Sequence, residues 1–599
     1  MENEKLPLRS EVPVENTWNL SDMFESDDAW YAENDSLRRL LPTIETFRGK
    51  LSESAESLLS YFRLSDELSA RLNKLYCYAG CKSDQDTADS KYLDMKGKAV
   101  STYTAVAGAD AFARPEIIAI PEETLERFYA QCPELEQYRR ALYMLRRRNA
   151  HILSAAEEKL LAAAGELSES AEDIASALRD ADLTFPSVTD SEGNSHLLTS
   201  ETFVSLEKSE DRTLRENVFR TAYAKYGEVR NTLAASLNGQ FRQLRFFAEA
   251  RKYPGLLSAA LDVTEVPVSV YENLIDTVHA GIDKMHRYIS VRKRALKLDE
   301  LHMYDVYVPL VQESGKEITF AQAKETVLEA LAVLGEDYTA LLREGFANRW
   351  IDVYENKGKR GGAYSSGNSK PHPYVLLNHK NDMDSMFTIA HEMGHALHSY
   401  HSNRNQPETY CDYVIFVAEV ASTCNEVLLM RYLLNRTENR KERAGLVNHF
   451  LEEFRGTFFR QTMFAEFERK MGNLSESGQT LTADLLCEKY LELNRFYFGP
   501  DMVSDDEIAL EWARIPHFFY NYYVFQYATG FAAAVAIADR ILTLGEPAVE
   551  DYKRFLSGGC SQDPISLLKI AGVDMSTPEP LNAALKLFGE LVDELETLL

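Results

Sequence analysis

Apolar residues that recur at steps of three and four constrain this chain more than any other feature. In the last stretch, Leu581, Leu585, Phe588, Val592 and Leu595 fall on one stripe of a helix, because side chains three and four apart share a face. Comparable periodic segments cover roughly 29–110, 122–180, 208–252, 267–298, 320–345, 440–472 and 505–545. Ser154 and Glu157 have the spacing of a capping box, in which hydroxyl and carboxylate each satisfy a backbone amide at a helix start. A mainly α-helical protein is predicted.

Extended signals are few. Leu183–Val188 and Ser195–Thr199 flank the turn-rich Asp190-Ser-Glu-Gly-Asn, which predicts a hairpin between two helical parts. This divides the chain into an N-terminal helical region at 1–182, a hairpin linker at 183–204 and a longer region at 205–599. Glycines 358, 361, 362 and 367 punctuate a second extended patch, after which Tyr374–His379 reads as a short strand.

Charge narrows the partners. Asp and Glu outnumber Lys and Arg by 93 to 65, and the net charge of -28 repels nucleic acid and anionic lipid surfaces, so neither is expected as a partner. Seven scattered cysteines are an odd number and fit reduced thiols better than a disulfide framework; Cys77 and Cys81 read as two buried thiols on one helix. The N-terminus lacks an apolar signal core, and the longest apolar run, near Phe531–Ala538, falls far short of the roughly 20 residues of a membrane span. A cytoplasmic location is expected.

The residues that carry chemistry begin at His391-Glu392-Met393-Gly394-His395, the H-E-x-x-H pattern, with Asp382 or Asp384 available to cap its helix. Histidines four apart project from one face and can share an ion. Glu392 lies about 100° round the helix, where it can meet a metal-bound water without itself being a ligand. Met386, Ala390, Met393 and Leu397 form the opposite, buried stripe. For the motif alone, two helical histidines that cap a core remain the alternative.

A catalytic zinc takes three protein ligands and keeps one position for water. His401 has the spacing for a third ligand, but that arrangement needs glycine at 398 to break the helix, and His398 stands there. The stronger candidate is Glu419, a carboxylate in the apolar helix Tyr413-Val-Ile-Phe-Val-Ala-Glu419, which must be paired, neutral or metal-bound. Pairing with a distant Lys or Arg is the alternative. Glu426, two turns on, can hold the other ring nitrogen of a ligating histidine, or is an ordinary surface carboxylate. His398 is assigned a supporting or structural role. In Pro516–Gly530, aromatic residues including His517, Tyr520, Tyr522 and Tyr527 are concentrated; they form either an aromatic helix interface or a polar pocket wall with donors for an oxyanion.

Four ordered stretches then carry a resemblance: Gly358-Lys-Arg-Gly-Gly-Ala-Tyr364-Ser, Phe387-Thr-Ile-Ala-His391-Glu-Met-Gly-His395-Ala-Leu-His-Ser, Ala418-Glu419-Val-Ala-Ser-Thr, and Ile515-Pro-His517 through Tyr527-Ala-Thr-Gly. Together with Trp18-Asn-Leu-Ser-Asp-Met-Phe24, they resemble the thimet oligopeptidase and oligoendopeptidase F family of zinc peptidases over nearly the whole chain. The resemblance implies a two-lobed, zincin-type helical body with a deep central channel, a small β-sheet next to the motif helix, and short unfolded peptides as substrates. It implies His391, His395 and Glu419 as ligands of one Zn2+ per chain, with Glu392 as general base. His517 and Tyr527 would polarise the carbonyl, Tyr520 or Tyr522 being able to substitute for Tyr527. Gly361, Gly362, Ala363 and Tyr364, with Tyr522 and the Tyr374–His379 strand, would hold the substrate. An endopeptidase is expected; an exopeptidase or a non-catalytic peptide-binding protein are the alternatives, and the oligomeric state is not legible.

Overall fold

The computed structural model describes residues 5–311, 317–366 and 371–599 and is mainly helical. Contacts divide it into two compact units, each assembled from three separated stretches: Met1–Ala150, Gly315–Leu429 and Ile537–Gly572 in the first, His151–Ser314, Met430–Ala536 and Val573–Leu599 in the second.

Local sequence signals account for the helix boundaries. Ser54 caps Ala55–Asp84 by accepting from the Ser57 amide, Asp211 caps the 39-residue helix Arg212–Ala250, and the box at Ser154 and Glu157 opens Ala155–Ser168. In the second unit the terminal helix Glu579–Leu598 buries Leu581, Leu585, Phe588, Val592 and Leu595 against the helices Arg440–Glu453 and Ile282–Ala295. Each such side chain contributes about 1.5–3 kcal/mol when removed from water. The hairpin also forms, shorter than its sequence signal: Val188 and Thr189 pair antiparallel with His196 and Ser195, inside the second unit.

The first unit carries the sheet that flanks the site. Ile351–Asp352 pairs parallel with Tyr374–Leu376, which in turn pairs antiparallel with Tyr364–Ser366. Tyr374–Leu376 is therefore the middle strand and is fully buried, correcting the expectation that the Tyr374–His379 strand holds the substrate; both of its hydrogen-bonding sides are occupied. The two edges are Ile351–Asp352 and Tyr364–Ser366, the latter read in the sequence as part of a glycine loop. Asp352, fully buried, anchors the sheet: Lys359 Nζ reaches it at 2.8 Å and Arg9 Nη1 at 2.9 Å, the pairing that lets a charge sit out of water.

None of the seven cysteines is in a disulfide. The helix Phe525–Leu544 is long and apolar enough to cross a membrane by length and composition, but 67% of its apolar window is buried inside the protein, as in a core helix.

Candidate metal centre

The helix Met383–Asn405 starts where the Asp382 side chain accepts from the Ser385 amide at 2.8 Å. It buries Met386, Ala390, Met393 and Leu397 on one face and turns His391 and His395 out from another. Gly394, the fourth residue of the motif, lets a second helix, Ile415–Arg436, cross at backbone contact. A Cβ at 394 would lie 2.6 Å from Ser422 Cα and 2.7 Å from the Ala421 carbonyl oxygen. The Asn425 amide donates to the Ala390 carbonyl at 3.0 Å and accepts from the Tyr338 hydroxyl at 3.1 Å, locking the crossing in register. That crossing delivers Glu419 to the histidines.

The three side chains converge. His391 Nε2 and His395 Nε2 are 3.2 Å apart, and Glu419 Oε2 lies 3.3 Å from the first and 3.4 Å from the second. They form the one group among the described residues whose ligand atoms are close enough to hold a metal ion. On the far side of the ring, His391 Nδ1 faces Glu426 Oε2 at 3.2 Å. Burial works to strip the charge from His391, but Glu426 and Glu419 outweigh it and hold the imidazole well above its usual range. Burial likewise opposes ionisation of Glu419, and His391 and His395 override it, keeping the carboxyl below its usual range. Two imidazole nitrogens and a carboxylate oxygen aimed at one point form a donor set that suits zinc, and a cation there removes the need for protonated histidines.

Beside the group, Glu392 is buried, and burial raises its pKa against the pull of His391 and His395. Its Oε2 has no hydrogen-bond partner among the described residues. His391, Glu392, His395 and Glu419 line a cleft of about 630 Å³ whose walls include Ala363, Tyr364, Ser365 and Ser366 of the edge strand and its approach, and Asn73, Tyr76 and Cys77 of the helix Ala55–Asp84. Nothing in the local sequence of that last helix marked it as a cleft wall.

The glycine loop is pinned from below. Gly358 has φ +83°, and a Cβ there would meet Asp86 Oδ1 at 2.3 Å; Asn378 Nδ2 donates to the Gly362 carbonyl at 2.8 Å, and the Tyr364 hydroxyl donates to Asp84 at 3.0 Å. Ala363 and Tyr364 line the cleft, whereas Gly361 and Gly362 lie beyond its lining residues, and Gly367 lies outside the described residues. His398 is buried, stacked 3.7 Å from the Tyr413 ring, with burial pushing its pKa down to about 3; it props a cleft-wall tyrosine. With His398 in place of a glycine the helix continues to Asn405, and His401 is carried to the ring of Tyr338.

In the second unit the aromatic segment splits into two faces. Phe518, Phe519, Tyr522 and Phe525 are core. His517, Tyr520, Tyr523 and Tyr527 cluster on the other side, with ring centroids 5.3 Å apart for His517 and Tyr520, 6.1 Å for His517 and Tyr527, and 5.3 Å for Tyr523 and Tyr527. Burial and Arg460 lower the pKa of His517, which favours a neutral imidazole. Tyr523, to which the sequence assigned no role, joins them; the left-handed pair at Asn521 and Tyr522 lies between Tyr520 and the helix that begins at Phe525, so helical spacing does not group the three.

A mainly helical chain with a buried carboxylate beside a two-histidine, one-glutamate group in an open cleft defines a metallopeptidase-type site. Comparison with known proteins agrees. The profile of peptidase family M3 matches residues 205–587, and that of the oligopeptidase F N-terminal region matches residues 116–185. Oligopeptidase PepF of Bacillus subtilis is 48% identical over 99% of this chain and 89% of its own length. The crystal structure of a peptidase from Chlamydophila abortus superposes with a TM-score of 0.93 at 36% identity, covering 99% of this chain and 100% of that one. Oligoendopeptidase-F from Enterococcus faecium gives 0.75 at 35% identity, covering 96% and 99%. The chain belongs to peptidase family M3, as a metalloendopeptidase of the oligoendopeptidase F type.

Proposed function

We propose that the chain hydrolyses internal peptide bonds of short, unfolded peptides in the bacterial cytoplasm, using one zinc ion held by His391, His395 and Glu419. The observation that carries this reading is the convergence of those three donors within 4.8 Å of one another beside the buried carboxylate of Glu392. When bound, zinc polarises the scissile carbonyl and makes water a stronger acid. Glu392 takes the proton of the attacking water and delivers it to the leaving amine, a role favoured by its raised pKa and unpartnered oxygen. Glu426 fixes the orientation of His391 through Nδ1. His517 and Tyr527, with Tyr520 beside them, donate to the oxyanion that develops on the carbonyl.

Substrate is held in extended form along Tyr364–Ser366, whose outer edge has no strand partner among the described residues, with Gly361, Gly362 and Ala363 leading into it. A deep channel confines access to short chains. Residues 205–599 are proposed as the catalytic region, a division supported by the family match beginning at 205, with 1–182 as an N-terminal helical region and 183–204 as the link.

Mass spectrometry of the products from a short peptide blocked at both ends tests the reading. Internal cleavage that stops on chelation and returns with zinc is expected; release of single terminal residues, or no cleavage by the zinc-loaded protein, contradicts it.

A further inference from the structure

Asn521 and Tyr522 stand side by side with φ of +54° and +57°, a left-handed pair without a glycine. Non-glycine residues occupy that region sparsely, and two in succession persist only where the surroundings over-determine them. Three restraints do so here. The Tyr522 amide donates to Glu468 Oε1 at 3.0 Å, and Gln240 Nε2 donates to the Phe519 carbonyl at 2.8 Å. The Tyr522 ring is buried edge-on to Tyr271 and Phe241, with its hydroxyl so close over Gly472 that a Cβ there would lie 1.9 Å from it. Glu468 and Gly472 are four residues apart on the helix Arg460–Glu476 and share one face, forming a notch that takes the backbone and the side chain of the same residue.

The bend separates the two faces of the aromatic segment: Tyr522 turns into the core, while Tyr520 and Tyr523 on either side stay with His517 and Tyr527. We propose that Glu468, with Gly472, is a positioning residue that clamps the Asn521–Tyr522 bend and thereby fixes where His517, Tyr520, Tyr523 and Tyr527 present their polar groups. This rests on the reading of His517 and Tyr527 as oxyanion donors. Glu468 is itself buried, its Oε2 has no partner among the described residues, and burial pushes its carboxyl up to about 8, which favours the neutral acid; Oε1 is the oxygen that accepts from the Tyr522 amide.

The test pairs Glu468→Gln with Glu468→Leu. Gln keeps an acceptor for the Tyr522 amide, and its kcat is expected within about 3-fold of the parent. Leu removes the acceptor, and kcat is expected to fall on the order of 10²-fold with KM and zinc content little changed, the cost of a catalytic group misplaced by about 1 Å. Placed on His517→Ala or Tyr527→Phe, Glu468→Leu is expected to add less than about 3-fold, because groups acting as a unit are not additive. Parent-like kcat in Glu468→Leu, or an undiminished loss in those backgrounds, overturns the proposal. If His517→Ala and Tyr527→Phe both turn over like the parent, the catalytic reading fails by itself. The clamp is then judged from the crystal structure of Glu468→Leu: a relaxed bend with a displaced ring cluster supports it, and an unchanged bend overturns it. Should Glu468→Leu not fold, Gly472→Ala replaces it: kcat is expected to fall and to recover when Tyr522→Phe removes the clashing hydroxyl, and absence of that recovery overturns the proposal.

Discussion

His391 Nδ1 lies 3.2 Å from Glu426 Oε2, so the ring nitrogen that faces away from Glu419 is already engaged. Glu419 and Glu426 are seven residues apart on one helix, two turns, which lets both carboxylates reach the same imidazole from opposite ends. Glu426→Gln removes the charge while keeping the shape. Its zinc affinity is expected to fall roughly 10–100-fold, the usual cost of losing such a partner. Competition against a chromophoric chelator measures this, and unchanged affinity would show that Glu426 does not orient the ligand.

Glu392→Gln is expected to bind zinc as the parent does and to lose on the order of 10²–10⁴-fold in kcat, because the proton acceptor is gone while the donors are intact. His391→Ala and Glu419→Ala lose the metal instead. Turnover of a quenched peptide beside metal analysis distinguishes the two failures, and parent-like turnover by Glu392→Gln refutes the assigned base.

Gly394→Ala probes the helix crossing. The added methyl would meet the Ser422 backbone at 2.6 Å, and backbone cannot rotate away as a flexible side chain can. Overpacking of this kind costs roughly 1–3 kcal/mol. Denaturant unfolding is expected to show that loss, and zinc titration a weaker site, since the crossing sets the distance from Glu419 to both histidines. A variant with parent stability and affinity would mean that the crossing tolerates a wider gap.

Much of this was legible from the sequence, and the exceptions have definite causes. Asp382, the buried stripe Met386–Leu397 and the terminal stripe at 581–595 follow from local capping and periodicity, which need no knowledge of the rest of the chain. Rejecting His401 required only that residue 398 is not glycine. The sheet was harder: strands of two or three residues have almost no periodicity, and their order depends on pairing Ile351 with Val375 and Ser365 with the same residue from opposite sides. The division of the aromatic segment depends on a left-handed bend at Asn521 and Tyr522 that carries no glycine to announce it. Cys77 and Tyr76 enter the cleft wall from a helix some 300 residues upstream of the motif, a placement with no local signature.

Glu468 also makes a prediction for stability against pH. Its carboxyl is pushed from an ordinary 4.5 up to about 8 by burial, with the Tyr522 amide pulling the other way. The native state therefore holds a proton that the unfolded chain releases near 4.5, so the contribution is complete below that pH and is lost as the pH rises toward 8. At about 1.36 kcal/mol per unit, a shift of this size is worth on the order of a few kcal/mol. Glu468→Gln cannot ionise, and its melting temperature is expected to decline less between pH 5 and 8 than that of the parent. Parallel curves would show that Glu468 does not hold the proton.

The central claim is that His391, His395 and Glu419 bind one metal ion. Anomalous diffraction from the catalytically active protein, collected on either side of the zinc absorption edge, tests it most directly. The account predicts a single strong peak with both imidazole Nε2 atoms and a Glu419 oxygen at zinc–ligand distances of about 2.0–2.2 Å. An active crystal with no peak there, or with Glu419 beyond bonding distance of the ion, would contradict it.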